Sequence, residues 1–353
     1  MSYIDEFWLG KRVLVTGHTG FKDSWLSIYL NELGALVSGF SLPPEQKSSI
    51  YSSIPTSLWH NEFLGDIRAK DLFSEHIQVF QPDIIFHLAA QASVLESHRD
   101  PETTWQTNVL GTQNILESLK FMDRTTSVVI ITTDKVYENL ENGIPFVETD
   151  SLGGFDPYSA SKAAVELLVS SYRRSFFMSD ERVKVATARA GNVIEGGDWL
   201  PDRIFPELIR SAQSGTCLEI RNPEAIRPWQ HVLDPLHGYL CLAKKLHTSQ
   251  SSSYQSAFNF GPGQESVQKV IDVVNEANRY LPFSWETSKV ESGPYEAKVL
   301  RLNTSKAERD LGWSSRIGFS RSISQTIDWY VEFLDGSNGY DLTRLQIQEF
   351  LNS

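Results

Sequence analysis

Short apolar runs alternate with helix-like stretches along the first half of the chain. The runs fall at residues 11–16, 35–40, 82–91, 127–131 and 183–189, and turn-forming or polar residues separate them. Between residues 25 and 33, after the first run, apolar side chains recur at the spacing of one helix face. Strands that alternate with helices predict an α/β protein built on a parallel sheet.

A glycine turn follows the first run and is the first candidate for chemistry. The run leads into Gly17-x-x-Gly20 and then into the apolar-periodic helix. A strand, a glycine turn and a helix form the dinucleotide-binding unit, in which N–H groups at the helix start hold a diphosphate. The residues predicted to contact such a cofactor at this turn are Gly17, His18, Thr19, Gly20, Phe21 and Lys22.

Asp23 stands where this motif would place a third glycine. One possibility is that its carboxylate lies near the path of the bound anion, where two charges about 4 Å apart repel by about 4 kcal/mol at an effective dielectric constant of about 20. The other is that Asp23 turns outward and caps the helix, where a negative charge is favourable. The sequence leaves both open.

Further cofactor contacts are predicted at later strand ends. The second run ends at residues 41–44 without an acidic residue to bind a ribose, so NAD is not distinguished from NADP there. Asp66 is placed to accept from an adenine amine or to cap the next helix, and Asn108 lies on an apolar helix where it needs polar partners. The other predicted contacts are Ile67, Leu88, Ala89, Ala90 and Gln91.

Tyr158 and Lys162 are the candidate catalytic pair. Residues four apart share a helix face, so the phenol and the ammonium can converge. A nearby cation stabilises a phenolate, lowers the pKa of a tyrosine and makes the pair a general base. Thr133, Asp134 and Lys135 end the fourth apolar run, at the edge of a parallel sheet where ligands bind.

The pattern changes after residue 191 and predicts a second, smaller region. Loop signals at 196–199 and 227–231 precede a helix at 232–245, a strand at 257–261 and a final amphipathic helix at 320–333. We predict a Rossmann-type doubly wound parallel sheet for residues 1–190, which also receives about 231–260. Residues 191–353 are predicted to form mainly a mixed α/β substrate-binding domain, interleaved with the first.

Composition restricts the partners and the compartment. The 353 residues are 41% hydrophobic and 22% charged, as in ordinary globular proteins, and the net charge of −12 argues against a nucleic-acid partner. Cys217 and Cys241 form neither a disulfide framework nor a metal-ligand spacing, so no metal is expected. With no visible signal peptide and no apolar run of about 18 residues, the chain is predicted to be cytoplasmic with no membrane partner.

Taken together, these motifs resemble the extended short-chain dehydrogenase/reductase family over nearly the whole chain. Within that family, the chain is most similar to the CDP-glucose 4,6-dehydratases. The stretches that carry the resemblance are residues 17–22, 132–139, 189–199 and 226–232, besides Leu88-Ala89-Ala90, Asn108 and Tyr158-x-x-x-Lys162. The resemblance implies an NAD-dependent hydro-lyase that acts on a sugar nucleotide, with CDP-glucose favoured by Lys135 in Thr133-Asp134-Lys135. It also implies a homodimer through helices near Asn108 and Tyr158.

The resemblance also implies residue roles. Tyr158 would take the proton of the sugar 4-hydroxyl beside Thr133, Asp134 would be the acid at O6, and Lys135 would take the place of the C5 base. Because an ordinary lysine is protonated at pH 7, this role requires Lys135 to be desolvated or set near another cation such as Lys162. A structural or phosphate-facing lysine is the alternative.

The remaining contacts implied by the motifs lie in the second half of the chain. Arg189 belongs to the cofactor set. Arg227 suits a diphosphate, because a planar guanidinium can bind two oxygens. The other substrate contacts are Asn192, Arg203 and His231.

Two other functions stay open at this stage. One is a sugar-nucleotide 4-epimerase or dehydrogenase with the same fold, against which Asp134 and Lys135 argue, since epimerisation needs neither an acid at O6 nor a base at C5. The other is a non-catalytic cofactor-binding homologue, which Asp23 and the missing ribose acid favour and the intact Tyr158 and Lys162 oppose.

Overall fold

The computed structural model describes residues 5–44, 49–178, 182–288 and 299–353. The strands are β1 (Arg12–Thr16), β2 (Leu36–Ser41), β3 (Trp59–Leu64), β4 (Ile84–His87), β5 (Thr126–Ile131), β6 (Val183–Ala190), β7 (Val193–Ile194), β8 (Leu218–Ile220), β9 (Ile226–Pro228), β10 (Gln230–His231), β11 (Ala257–Phe260), β12 (Val267–Lys269) and β13 (Trp285–Thr287). Seven parallel strands form the central sheet in the order β11-β6-β5-β4-β1-β2-β3. Within the described residues, the strands outside this sheet form three two-stranded pairs, β10-β7, β12-β9 and β13-β8.

Helices cover both faces of the sheet. They are α1 (Phe21–Glu32), α2 (Lys70–Phe80), α3 (Val94–Arg99), α4 (Pro101–Trp105), α5 (Gly111–Leu119), α6 (Pro157–Tyr172), α7 (Ile204–Ser214), α8 (Leu233–Thr248), α9 (Val270–Tyr280), α10 (Ser305–Leu311), α11 (Phe319–Leu334) and α12 (Gly339–Asn352). Successive strand side chains point to opposite faces. Val13 and Val15 therefore join the core formed with α1 and α8, whereas Leu14 joins the core formed with α2, α5 and α6.

The strand order places a crevice beside β1. The chain passes from β1 to β2 on one side, and β4 pairs with β1 on the other. In open α/β sheets, ligands bind at the carboxyl ends of the strands where the order reverses. The ends of β1, β4, β5 and β6 therefore define the site.

The predicted α/β fold with a doubly wound parallel sheet is confirmed, although two strands beyond the five apolar runs complete it. At one edge lies β3, which the apolar runs do not indicate, and at the other edge lies the short strand β11, which confirms the strand predicted at residues 257–261. The 320–333 helix is not the last one, because α12 follows and packs against α1. Only a few apolar residues of α12 are buried, so its helix-face signal is weak.

None of the helices in the described ranges is long and apolar enough to span a membrane.

Candidate active site

The glycine turn connects β1 to α1 in a conformation that needs glycine. Gly17 has φ +83°, and its N–H donates to the carbonyl of Phe40, which fixes the turn to β2. A Cβ on Gly17 would lie 2.9 Å from the backbone nitrogen of Ala89 at the end of β4. Gly20 caps α1 without a side-chain acceptor, and Phe21 begins the helix. The close backbone approach and the helix start fit a dinucleotide.

Asp23 lies inside this turn and not outside it. A Cβ on Gly20 would lie 2.5 Å from Asp23 Oδ2, and one on Gly17 would lie 3.0 Å from Asp23 Oδ1. Asp23 Oδ1 is buried and has no hydrogen-bond partner. Burial raises the pKa of this carboxyl to about 7. The expectation of an outward-facing cap is therefore wrong, because the carboxylate fills the space between the two glycines.

His18 and Thr19 attach the turn to the neighbouring strands. His18 is fully buried and its Nε2 lies 2.9 Å from Oε1 of Glu62 on β3. Burial lowers the pKa of His18. Thr19 Oγ1 donates to the carbonyl of Leu42 and lies 2.9 Å from Ser41 Oγ. Both side chains therefore hold the turn in place, and any contact with a cofactor through them stays a prediction.

Asn108 supports the end of β4 from a π-helical segment, Gln106–Leu110. Its Oδ1 accepts from the backbone N–H of Gln91, and its Nδ2 donates to the Gln91 carbonyl and to Ser161 Oγ. Asn108 is 1% exposed. It therefore fixes the half-buried segment of Leu88, Ala89, Ala90 and Gln91 against α6, and a contact of these residues with a cofactor stays a prediction.

Asp66 is paired within its own loop. Its carboxylate accepts from the backbone N–H and the guanidinium of Arg68. These hydrogen bonds lower the pKa of Asp66. The N-cap of α2 is Ala69, so the alternative that Asp66 caps this helix is wrong. The adjacent Ile67 packs under Gly111.

Arg189 is a buried structural cation. Its Nε and Nη2 donate to the two oxygens of Glu166 at 3.0 and 2.9 Å, and its Nη1 donates to Tyr137 Oη at 2.7 Å. Arg189 is 3% exposed. The prediction that it contacts the cofactor is thus corrected, since its side chain is held by protein partners. It secures the ends of β5 and β6 instead.

Thr133, Asp134 and Lys135 follow β5 at the carboxyl edge of the sheet. Thr133 Oγ1 donates to Asp134 Oδ1 at 3.0 Å, and Lys135 Nζ lies 3.6 Å from that same oxygen. Asp134 is fully buried, and its Oδ2 has no hydrogen-bond partner. A Cβ on Gly191 would lie 2.9 Å from this Oδ2. One buried carboxylate oxygen is therefore left without a protein donor at the site.

Tyr158 and Lys162 begin α6 beside these residues. Burial raises the pKa of Tyr158 to about 12, and a hydrogen bond with Thr133 opposes this shift. Lys162 Nζ donates to the carbonyl of Ile131 at 3.0 Å. Burial, aided by the charge of Lys22, lowers the pKa of Lys162 to about 8. The expectation that Lys162 lowers the pKa of Tyr158 is therefore wrong for these protein groups by themselves, because burial dominates the shift and the cation that opposes it is Arg203.

Lys22, a predicted cofactor contact, also connects the turn to α8, which the sequence does not indicate. Its Nζ donates to Tyr239 Oη at 3.3 Å, and burial lowers the pKa of Lys22 to about 8. Asp23, Arg203 and Asp134 all act electrostatically on this ammonium. The only sequence signal for Tyr239 is its place on an apolar helix.

For three of the predicted substrate residues, a contact with the substrate stays a prediction. Asn192 is half-buried after β6, Arg203 pairs with Asp198 at 2.7 Å, and Arg227 Nη1 donates to the Ile226 carbonyl.

His231, the fourth predicted substrate residue, is enclosed by protein groups. It is fully buried, faces the equally buried Glu195, and accepts from the backbone N–H of Leu233 through Nδ1. The prediction of a substrate contact is corrected for His231, which joins β10 to the core.

No group of three or more His, Cys, Asp or Glu side chains that could hold a metal ion occurs in the described part of the chain.

The fold and the site define a Rossmann-type protein with a dinucleotide cradle and a Tyr-x-x-x-Lys pair, as in the extended short-chain dehydrogenases/reductases. More narrowly, the chain belongs to the GDP-mannose 4,6-dehydratase family, whose model matches residues 14–326. It is 39% identical over 354 residues to CDP-glucose 4,6-dehydratase of Salmonella typhimurium strain LT2, covering 99% of this chain and 98% of that protein. The resemblance inferred from the motifs is thereby confirmed.

Solved structures share the fold. A dTDP-glucose 4,6-dehydratase from Bacillus anthracis in complex with NAD superimposes with a TM-score of 0.77 at 20% identity, covering 94% of this chain and all of that one. A UDP-glucose 4-epimerase from Thermus thermophilus in complex with NAD has a TM-score of 0.77 at 24% identity, covering 91% of this chain and 99% of that one.

Proposed function

We propose that this chain is an NAD-dependent CDP-glucose 4,6-dehydratase, a hydro-lyase that converts CDP-glucose to CDP-4-keto-6-deoxyglucose and water. The full-length similarity to a CDP-glucose 4,6-dehydratase supports the reaction. The NAD complexes among the structural neighbours support the cofactor, as does the cradle of Gly17, Gly20 and Ala89. Residues 1–190 with about 231–260 are proposed as the cofactor unit, and β11 contributes its edge strand.

The observation that carries the proposal is the state of Asp134. A fully buried carboxylate with one unpartnered oxygen is costly unless a ligand uses it. It lies at the strand end beside Thr133 and Lys135. Loss of the 6-hydroxyl as water needs a proton donor at O6, whereas 4-epimerisation does not. Asp134 therefore favours a dehydratase over an epimerase.

The protein groups divide the proton transfers. Tyr158 accepts the proton of the 4-hydroxyl, Thr133 holds O4 beside it, and Asp134 protonates the departing 6-hydroxyl. When bound, NAD⁺ would take up the hydride lost from C4 and, as NADH, give it back to C6, so that the overall conversion is redox-neutral. Lys162 and the helix start at Gly20 are the groups proposed to hold it, together with the turn residues and the β4 end.

Lys135 is proposed as the base at C5. Its side chain is 28% exposed and its ammonium lies 3.6 Å from Oδ1 of Asp134, a carboxylate that favours the protonated lysine, so the desolvation that a base needs has to come from the bound sugar nucleotide. The ketone at C4 acidifies the C5 proton. Removal of this proton by Lys135 and protonation of O6 by Asp134 together eliminate water across C5 and C6. For the sugar nucleotide, Arg227, Arg203 and Asn192 are the proposed contacts.

The first experiment incubates the protein with CDP-glucose and NAD⁺ in D₂O and examines the product by mass and proton spectra. The expected product has lost water and carries one deuterium at C5. UDP-glucose and dTDP-glucose serve as matched substrates with other bases, and slower turnover of both is expected. A product that retains water and is inverted at C4 would replace the dehydratase with an epimerase.

A pair of variants then separates the two proton-transfer residues from the oxidation step. With Lys135→Met, reduced nicotinamide should accumulate at its absorbance band, because oxidation at C4 precedes elimination. Asp134→Asn, which keeps the contact with Thr133, should likewise oxidise C4 and stall before loss of water. Product formation by Lys135→Met at the wild-type rate would return Lys135 to a structural or phosphate-facing role.

A homodimer is also proposed. Trp105, Leu110 and Leu167 are 41%, 50% and 62% exposed on neighbouring helical segments that include α4 and α6. Exposed apolar clusters of this kind mark protein interfaces. Light scattering should report twice the chain mass for the wild type and a shift toward the monomer for Leu167→Glu, and a wild-type monomer would contradict the proposal.

A cytoplasmic location is proposed as well. The free thiols Cys217 and Cys241 suit a reducing compartment.

A further inference from the structure

Asp23 occupies the part of the glycine turn that dinucleotide cradles leave open. In such turns the second glycine lacks a side chain so that the backbone can approach the diphosphate. The second glycine here is Gly20, and the place of its absent Cβ is 2.5 Å from Asp23 Oδ2. The other oxygen, Oδ1, stands 3.0 Å from the corresponding place on Gly17. The carboxylate thus lies between both glycines, where the cofactor's anion is expected.

The surroundings of Asp23 make its charge unfavourable. Asp23 Oδ1 is buried and unpartnered. Lys22 on α1 and Lys162 on α6 attract the carboxylate electrostatically, but their ammonium groups donate to Tyr239 Oη and to the Ile131 carbonyl. Tyr239 reaches the cluster from α8 and remains a neutral phenol, since burial raises its pKa. The same effect raises the pKa of Asp23 to about 7.

We propose that Asp23 sets the cofactor affinity of this protein by taking up a proton when a dinucleotide diphosphate enters the cradle. A neutral carboxylic acid removes the repulsion between two anions, and it can donate a hydrogen bond to a diphosphate oxygen. An ionised Asp23 presents an unshielded charge to the same oxygen. Cofactor binding is therefore proton-coupled and weakens as the pH rises. This inference rests on the proposed use of NAD.

Lys22 and Lys162 could also make the affinity for NAD⁺ fall as the pH rises, so the test has to isolate the contribution of Asp23. Burial lowers the pKa values of Lys22 and Lys162 to about 8. Both ammonium groups lose their protons, and with them their attraction for a diphosphate, as the pH rises. Only a variant that removes the titration of Asp23 and leaves both lysines intact distinguishes the two causes.

The experiment measures NAD⁺ binding to the full-length protein by titration calorimetry between pH 6 and 9, without CDP-glucose. For the wild type, affinity should fall by up to about tenfold per pH unit above neutrality, with proton uptake visible as a difference between buffers of unlike ionisation enthalpy. Asp23→Asn keeps the size of the side chain and should lose most of this dependence, and Asp23→Gly should bind NAD⁺ more tightly than the wild type at pH 9. Asp71→Asn, an exposed acid in the first turn of α2, is the matched control and should behave as the wild type.

The outcomes separate this inference from the proposed function. Affinity of the wild type that does not vary with pH, or equal pH dependence in Asp23→Asn, overturns the role of Asp23 and leaves the dehydratase standing. Absence of NAD⁺ binding in the wild type and in both Asp23 variants, with each folded by circular dichroism, overturns the proposed cofactor itself. NADP⁺ in place of NAD⁺ checks that the dependence follows the shared diphosphate.

Discussion

The buried pair of Glu166 and Arg189 offers a sharp test of what holds the catalytic edge of the sheet together. Glu166 follows Lys162 by one helical turn on α6 and is 3% exposed. Its two oxygens accept from Arg189 and also from Thr132 Oγ1 at 2.6 Å and Thr187 Oγ1 at 2.8 Å. One carboxylate therefore ties α6 to the ends of β5 and β6. We predict that Glu166→Gln lowers the free energy of unfolding by about 3–5 kcal/mol, because it leaves a buried guanidinium without its counter-charge.

Equilibrium unfolding in urea measures this change. The matched control is Glu96→Gln, which breaks an exposed pair with Arg99 whose side chains are 49% and 72% exposed. That pair should contribute no more than about 1 kcal/mol. The double variant Glu166→Gln/Arg189→Met should recover part of the loss, since no buried charge remains unpaired. Equal losses in Glu166→Gln and Glu96→Gln would refute the reasoning.

The same pair has a defined pH dependence. Although burial opposes it, hydrogen bonds and charge from Arg189 lower the pKa of Glu166 below its usual value. A depressed acidic pKa stabilises the fold at pH values above the unfolded pKa of about 4.3, and this contribution is lost as the pH falls through the folded pKa. The stability difference between the wild type and Glu166→Gln should therefore shrink in acid. A difference that stays constant below about pH 4 would contradict the assignment.

Two further predictions concern the active site. Gly17→Ala should abolish measurable NAD⁺ binding, because φ +83° strains an L-residue by about 1–2 kcal/mol and its Cβ would lie 2.9 Å from the Ala89 nitrogen. Titration calorimetry measures the binding. Gly215→Ala is the control for backbone strain alone, because Gly215 has a positive φ and open space around it. Tyr158→Phe should lower kcat by about 10²–10⁴-fold with little change in CDP-glucose affinity, since it removes a general base and leaves the proposed substrate arginines intact. A kcat within about tenfold of the wild type would remove Tyr158 from the proton transfer.

Local chemistry explains which parts of the site were predictable from the sequence. Gly17 and Gly20 follow an apolar strand, and Tyr158 and Lys162 are one helical turn apart, so short-range spacing suffices to find them. The role of Arg189 depends on Glu166 and that of His231 on Glu195, and each carboxylate lies outside the motif of its partner and reaches it only in the folded structure. A buried counter-charge turns a motif residue into a structural one.

Orientation was the other property that the sequence did not determine. Asp23 satisfies the preference for an acid in the first turn of a helix whether it faces in or out. Its inward position shows only in the folded turn, where its two oxygens lie against the places of the absent Cβ atoms of Gly17 and Gly20. Similarly, the spacing of Tyr158 and Lys162 predicts proximity on α6, but burial of both groups decides the direction of their pKa shifts.

These opposite pKa shifts link cofactor binding to catalysis. With the pKa of Tyr158 raised to about 12, its phenol is a poor base at neutral pH until further positive charge reaches it. The oxidised nicotinamide ring carries a positive charge, and Lys162, whose pKa burial lowers to about 8, is the residue proposed to stay protonated beside the bound cofactor. A higher pH thus favours proton loss from Tyr158, whereas a lower pH favours retention of the proton on Asp23. With the roles proposed for Asp23 and Lys162, the site works in the pH interval in which Asp23 can still take up a proton while Lys162 remains charged.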